Sequence, residues 1–166
     1  MEVDFFDPQY VKEPPRTDPE FGICDKDGIS FTLTDGDPDK WVAVVHNETQ
    51  AECQYVPVDH NIVVRNKRGE ERSMCDGMLY KTDLSWLSFI ELKEVRKGWK
   101  SKPLEQLEST VQVFLASHDP NSFGHRFAYA VNRRHPRFAY SRKEEMQTFR
   151  NKYGFSLLFQ RDIIVL

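Results

Sequence analysis

The spacing of hydrophobic and polar positions changes several times along this chain, and each change marks an element. Residues 29–34 alternate apolar and polar side chains and residues 41–45 are rich in β-branched ones. The turn formers Asp35-Gly36-Asp37-Pro38 between them predict a hairpin. Residues 47–53 fit either a short helix or a loop. Residues 55–58 and 61–65 are strand-like, and Asn66-Lys67-Arg68-Gly69 turns the chain into a strand over 72–80. A second turn over 81–85 leads into a strand over 86–95, so this middle region predicts an antiparallel meander.

The period then becomes helical. Leu104, Leu107, Val111, Phe114 and Leu115 fall on one helix face, with Ser101 and Pro103 as start signals. A strand is expected over 127–132. Ser141 and Glu144 form a capping box for a second helix, which has Met146, Phe149 and Tyr153 on its apolar face and Gly154 as its stop. Residues 155–166 are strand-like with a polar break at Gln160-Arg161-Asp162. From Arg72 onward the order is β-β-α-β-α-β, an α/β arrangement with a mixed sheet flanked by helices. Upstream, residues 1–26 carry Pro8, Pro14, Pro15 and Pro19 and are expected to form an extended arm docked through Phe5, Phe6 and Tyr10. The predicted organisation is an arm over 1–26 and one domain over 27–166.

Composition narrows the class. A chain of 166 residues, 39% hydrophobic and 30% charged, can build a core without staples. It shows no transmembrane span, and its start lacks the pattern of a signal peptide. Cys24, Cys53 and Cys75 are odd in number with no CxxC spacing, which argues against a disulfide framework or a zinc site and for a cytoplasmic protein. The net charge of −3 disfavours a nucleic-acid binder until it is divided along the chain. Residues 1–48 hold 12 acidic and 4 basic side chains, whereas residues 93–152 hold 13 basic and 6 acidic ones. A local basic surface governs phosphate binding more than the global sum does.

The candidate chemistry lies in Asp76, Glu91 and Lys93. Glu91 and Lys93 sit in Leu87-Ser88-Phe89-Ile90-Glu91-Leu92-Lys93, a run otherwise apolar enough to be an interior strand. Buried charges there are costly unless paired with each other or bound to a metal. Residues two apart on a strand share a face, so Glu91 and Lys93 project together while Ile90 and Leu92 enter the core. Asp76 on the preceding strand can lie alongside Glu91, and two adjacent carboxylates repel unless a cation neutralises them. Hard oxygen ligands suit Mg²⁺ or Mn²⁺, and a lysine beside them can orient water or stabilise charge on a phosphate. Together these residues point to phosphodiester hydrolysis.

At these positions the chain resembles the PD-(D/E)XK nuclease superfamily. The matching residues are Cys75-Asp76-Gly77, then Phe89-Ile90-Glu91-Leu92-Lys93, then the helix after Ser101 with Gln106 in the place of a residue many members carry. The resemblance spans roughly residues 47–135 in element order. It implies a restriction-endonuclease-like core with a mixed four-stranded sheet, here preceded by an N-terminal β-hairpin extension. It also implies a metal held by Asp76, Glu91 and the backbone carbonyl of Leu92, with Lys93 and Gln106 as catalytic partners. The proline that often precedes the aspartate is absent. The upstream acidic residue has two candidates, Glu48 and Glu52.

The reading that follows is a Mg²⁺- or Mn²⁺-dependent nuclease acting on nucleic acid, DNA ahead of RNA, with room for a homodimer or a partner subunit. Lys97, Lys100 and Lys102 near Trp99, and Arg133 and Arg134 at the end of the strand after the first helix, are candidate phosphate contacts. The rival is a non-catalytic module of the same fold that binds nucleic acid or protein within a defence or repair assembly. A plainer alternative makes Glu91 and Lys93 an ion pair on an edge strand and Asp76 a turn residue. His60, beside Asp59, has no partner at ligand spacing and is set aside. Cys75 is expected to pack in the core.

Overall fold

Two β-sheets and a helical layer stack on one another. The computed structural model describes residues 2–93, 102–132 and 142–166. The first sheet is built from β1 (Glu20–Lys26), β2 (Ile29–Leu33), β3 (Ala43–His46) and β9 (Asp162–Ile164), in the order β2-β1-β3-β9. The second contains β4 (Cys53–Pro57), β5 (Gly77–Lys81), β6 (Trp86–Lys93), β7 (His125–Asn132) and β8 (Ser156–Phe159), in that spatial order. Helices α1 (Lys102–Ser117) and α2 (Lys143–Tyr153) connect β6 to β7 and β7 to β8, both of which are parallel pairs. β4, β5 and β6 run antiparallel, so the second sheet is mixed, as the element order from Arg72 predicts.

Side-chain alternation divides the interior into two cores. Ile90, Leu92, Tyr129 and Val131 face the first sheet, meeting Phe21, Ile23, Val42 and Val45. Leu87, Phe89, Ala128 and Ala130 face the helices, meeting Leu107, Val111, Phe114 and Phe149. β6 is the middle strand of five, and that position excludes an edge-strand setting for Glu91 and Lys93. Among the described residues no helix is long and apolar enough to cross a membrane.

The N-terminal arm docks as expected. Phe5 is fully buried against Phe89 and Phe114, and the Val3 N–H donates to Ser117 Oγ at 2.8 Å. Its boundary, however, is shorter than 1–26. Residues 20–26 form β1, and the Asp27-Gly28 turn joins β1 to β2, so the hairpin lies there and not between 29–34 and 41–45. β3 pairs with β1 on its other side. The apolar triplet Phe21, Gly22 and Ile23, all buried, makes this a strand despite the proline-rich stretch before it.

Other differences are local. Residues 61–65 are not a strand; an isolated bridge joins Arg65 to Glu71 across the Asn66–Gly69 turn. Residues 47–52 form a loop closed by Asn47, whose side chain bonds the backbone at Asp18 and Ala51. β5 begins at Gly77 and not at Arg72. The polar break at 160–162 is where the chain leaves the second sheet and enters the first as β9. Ser101 and Ser141, the expected helix-start residues, lie outside the described residues. Gly154 ends α2 in a left-handed conformation, with φ 73°.

Candidate functional site

The ladder between β5 and β6 ends at Gly77↔Ile90. One residue further on, Asp76 stands opposite Glu91, and its carboxylate takes over from the backbone: Oδ2 accepts from the Leu92 N–H at 2.7 Å. Glu91 is 1% exposed, on the helix-facing side of the central strand. Its Oε2 lies 3.1 Å from Lys93 Nζ on the same face. Its other oxygen, Oε1, is buried and receives no hydrogen bond among the described residues. The Asp76 carboxyl is within hydrogen-bonding reach of Glu91, so an acceptor faces an acceptor.

Such a pair needs a proton or a cation between its members. Burial pushes the Glu91 carboxyl up to about 9, with the Asp76 charge adding to the rise and Lys93 opposing it. Burial also raises Asp76, to about 6, against the lowering effect of the Leu92 N–H, Glu91 and Lys93. At neutral pH the pair therefore retains a proton between its members.

Two hydroxyl groups hold the Asp76 segment from opposite layers. On the helix side, Thr110 Oγ1 accepts from the Cys75 N–H at 2.8 Å and donates to the Gln106 carbonyl at 2.8 Å. On the other side, Ser30 Oγ of β2 donates to the Asp76 carbonyl at 2.8 Å, alongside the Val58 N–H at 2.9 Å. Ser30 Oγ in turn accepts from the buried Tyr55 hydroxyl at 2.6 Å. Gly77 makes this packing possible, because a Cβ there would overlap the Tyr55 hydroxyl and ring.

Gln106 lies one turn before Thr110 on α1, half-buried, and its Oε1 is a second buried acceptor without a donor among the described residues. Cys75 is fully buried in the helix-side core, and burial pushes its thiol up. Glu48 and Glu52 are elsewhere. Glu52 sits beyond the Cys53↔Lys81 end of β4, opposite the Pro57↔Gly77 end that carries the site, and its Oε1 accepts from Thr82. Glu48 follows β3 past the His46↔Glu20 end of that ladder, in an exposed loop and not on a helix. Neither joins Asp76 and Glu91.

Lys97, Lys100, Arg133 and Arg134, with Trp99, lie outside the described residues. Lys102 opens α1, but its side chain is likewise outside them. His60 is exposed and pairs with its neighbour Asp59 at 3.4 Å.

Two residues close to the site carry no motif signal. Asn132 is fully buried at the end of β7, directly beside Lys93 in the parallel ladder. Asp25 of β1 stands across from Ser30 and lines a cleft of about 240 Å³ with Val42, Leu92 and Lys93. Asn132 is placed by the pairing of β6 with β7 and Asp25 by the packing of one sheet on the other, both between segments distant in sequence. The one sequence cue for Asn132 is a polar residue closing an apolar strand.

Among the described residues no group of three or more His, Cys, Asp or Glu side chains gathers closely enough to hold a metal. The candidate donor set is therefore two carboxylates with the Leu92 carbonyl. Mg²⁺, which keeps several waters, fits such a set better than Zn²⁺ does. The facing acceptors of Asp76 and Glu91 and the undonated Glu91 Oε1 fit a hard divalent cation. Neither family models, curated proteins nor solved structures match this chain.

Proposed function

We propose that this chain is a divalent-cation-dependent nuclease with a restriction-endonuclease-like core, hydrolysing phosphodiester bonds of DNA or RNA. The observation that carries this reading is the facing pair of carboxylates, half-buried Asp76 and buried Glu91, with Lys93 3.1 Å from Glu91 on the central strand. Two facing acids and a lysine, at and beside the middle strand of a sheet, are a poor way to stabilise a core. They are a good way to hold a hard cation next to a phosphate.

Asp76, Glu91 and the Leu92 carbonyl would hold the ion. A Mg²⁺ or Mn²⁺ there supplies Lewis-acid polarisation of the phosphoryl group and neutralises developing charge. Asp76 is fixed by the Leu92 N–H, so it binds without first being ordered. Glu91 must give up its proton to bind, and its contact with Lys93 then competes with the ion. Lys93, 28% exposed at its side chain, can turn from Glu91 toward the attacking water or a phosphate oxygen. The water oxygen attacks phosphorus in line and releases its proton to solvent, the bond to the leaving oxygen breaks, and that oxygen is protonated from solvent.

The test is cleavage of single-stranded DNA, double-stranded DNA and RNA with Mg²⁺ or Mn²⁺ by wild type, Glu91→Ala and Lys93→Ala. The reading predicts activity in wild type that falls at least about a hundredfold in both variants. Cleavage persisting undiminished in both would contradict it. Nucleic-acid binding without cleavage by any of the proteins would favour the non-catalytic module.

A further inference from the structure

The first sheet has no place in the motif that led to Asp76, Glu91 and Lys93, yet its Ser30 hydroxyl reaches the site, backed by the hydroxyl of Tyr55 on β4 of the second sheet. Tyr55 is 2% exposed and Ser30 3% exposed, both enclosed between the sheets. The phenol donates to Ser30 Oγ at 2.6 Å, and Ser30 donates to the Asp76 carbonyl at 2.8 Å. A hydroxyl has one proton to donate, so each link in this chain fixes the direction of the next. The Asp76 carbonyl already accepts from the Val58 N–H within the second sheet, so Ser30 uses its remaining lone pair. Ladder pairing alone would leave that lone pair unmet, and the added bond sets how the Asp76 peptide is tilted at the end of β5. Gly77, the next residue, brings the chain close enough to Tyr55 for this geometry.

We propose that Tyr55 and Ser30 are positioning residues: a buried relay from Tyr55 of β4 through Ser30 of the first sheet that fixes the Asp76 peptide and so keeps its carboxylate on the Leu92 N–H beside Glu91. In the proposed nuclease, on which this role rests for its purpose, the relay pre-orders one metal ligand. The first sheet is then part of the site. Ser30 and Tyr55 touch neither ion nor substrate; they act through Asp76.

The Leu92 amide reports the relay without cation or activity, because its N–H is held by the Asp76 carboxylate. Hydrogen exchange at Leu92 and Mn²⁺ affinity by calorimetry are measured for wild type, Ser30→Ala, Tyr55→Phe and the double variant. Ser30→Ala is expected to speed Leu92 exchange and weaken Mn²⁺ binding by about tenfold each, as loss of an outer-shell partner does. Exchange of amides in β8, at the opposite edge of the second sheet from β4, should stay within about twofold. Tyr55→Phe, which keeps the ring and its packing, should show a smaller change in the same direction. The double variant should be no worse than Ser30→Ala, since both act through one chain. If Ser30→Ala does not fold, Tyr55→Phe carries the same two readouts. Leu92 exchange within twofold of wild type in the folded variants would overturn the relay. Failure of wild type to bind Mn²⁺ would overturn the nuclease reading, while faster Leu92 exchange in Ser30→Ala would still support the relay.

Discussion

Asp76 and Leu92 are joined by a 2.7 Å hydrogen bond from the Leu92 N–H to Oδ2, at the point where the ladder between β5 and β6 stops. A side chain replaces a backbone acceptor there. The replacement brings a carboxylate to the edge of Glu91 and leaves both acids short of water. Several measurable consequences follow from that one substitution of partners.

The first concerns stability against pH. Asp76 and Glu91 rise from ordinary values of 3.8 and 4.5 to about 6 and about 9 on folding. The folded chain therefore binds more protons than the unfolded chain between about pH 4 and 9, and stability falls as pH rises through that window. Glu91→Gln removes most of this slope. Thermal unfolding should show the variant at least about 3 °C more stable than wild type at pH 8, with the gap closing toward pH 4. Parallel profiles would mean that Glu91 is not held neutral by burial.

Cation binding must expel that proton. Calorimetry of Mn²⁺ binding at pH 7 in buffers of differing ionisation enthalpy should report release of about one proton, with affinity rising toward pH 9. Asp76→Asn should abolish binding. Zero proton release would place the ion away from Glu91.

Gly77 faces Tyr55 with no room for a side chain. Gly77→Ala should be destabilising by roughly 3 kcal/mol or more, on the scale of overpacking in a closed core. Tyr55→Phe should not rescue it, because the added Cβ overlaps the ring carbons as well as the hydroxyl. Chemical denaturation of the two variants is the check; rescue by Tyr55→Phe would place the clash in the hydroxyl alone.

The arm is part of the core. Phe5 is fully buried, with edge-on contacts to Phe89 at 5.8 Å and Phe114 at 5.3 Å. Phe5→Ala should cost about 3–5 kcal/mol, read as a lowered melting temperature in calorimetry. An unchanged melting temperature would mean the arm is dispensable.

The interior position of β6 was legible because Leu87, Phe89, Ile90 and Leu92 leave only Ser88, Glu91 and Lys93 as polar positions in the run. The helices were legible from their 3.6-residue period, and the docking aromatics of the arm from their isolation among polar residues. β1 was not, because Phe21-Gly22-Ile23 is too short a signal beside four prolines, and its pairing with β3 spans a long loop. For the upstream acid, motif position offers Glu48 and Glu52. The strand registers put both at the wrong ends of their ladders. Ser30, Tyr55, Thr110 and Asn132 could not be named from spacing, since their roles arise from contacts between layers. Local period reveals which face of an element is buried; it does not reveal what that face meets.

The central claim is that Asp76 and Glu91 share a divalent cation. Crystals soaked in Mn²⁺ above pH 8, with data collected at the manganese edge, test it most directly. The account predicts an anomalous peak about 2.0–2.2 Å from a carboxylate oxygen of each residue and from the Leu92 carbonyl, with Lys93 turned away from Glu91. No peak at that position under saturating Mn²⁺, with Glu91 still on Lys93, would contradict it.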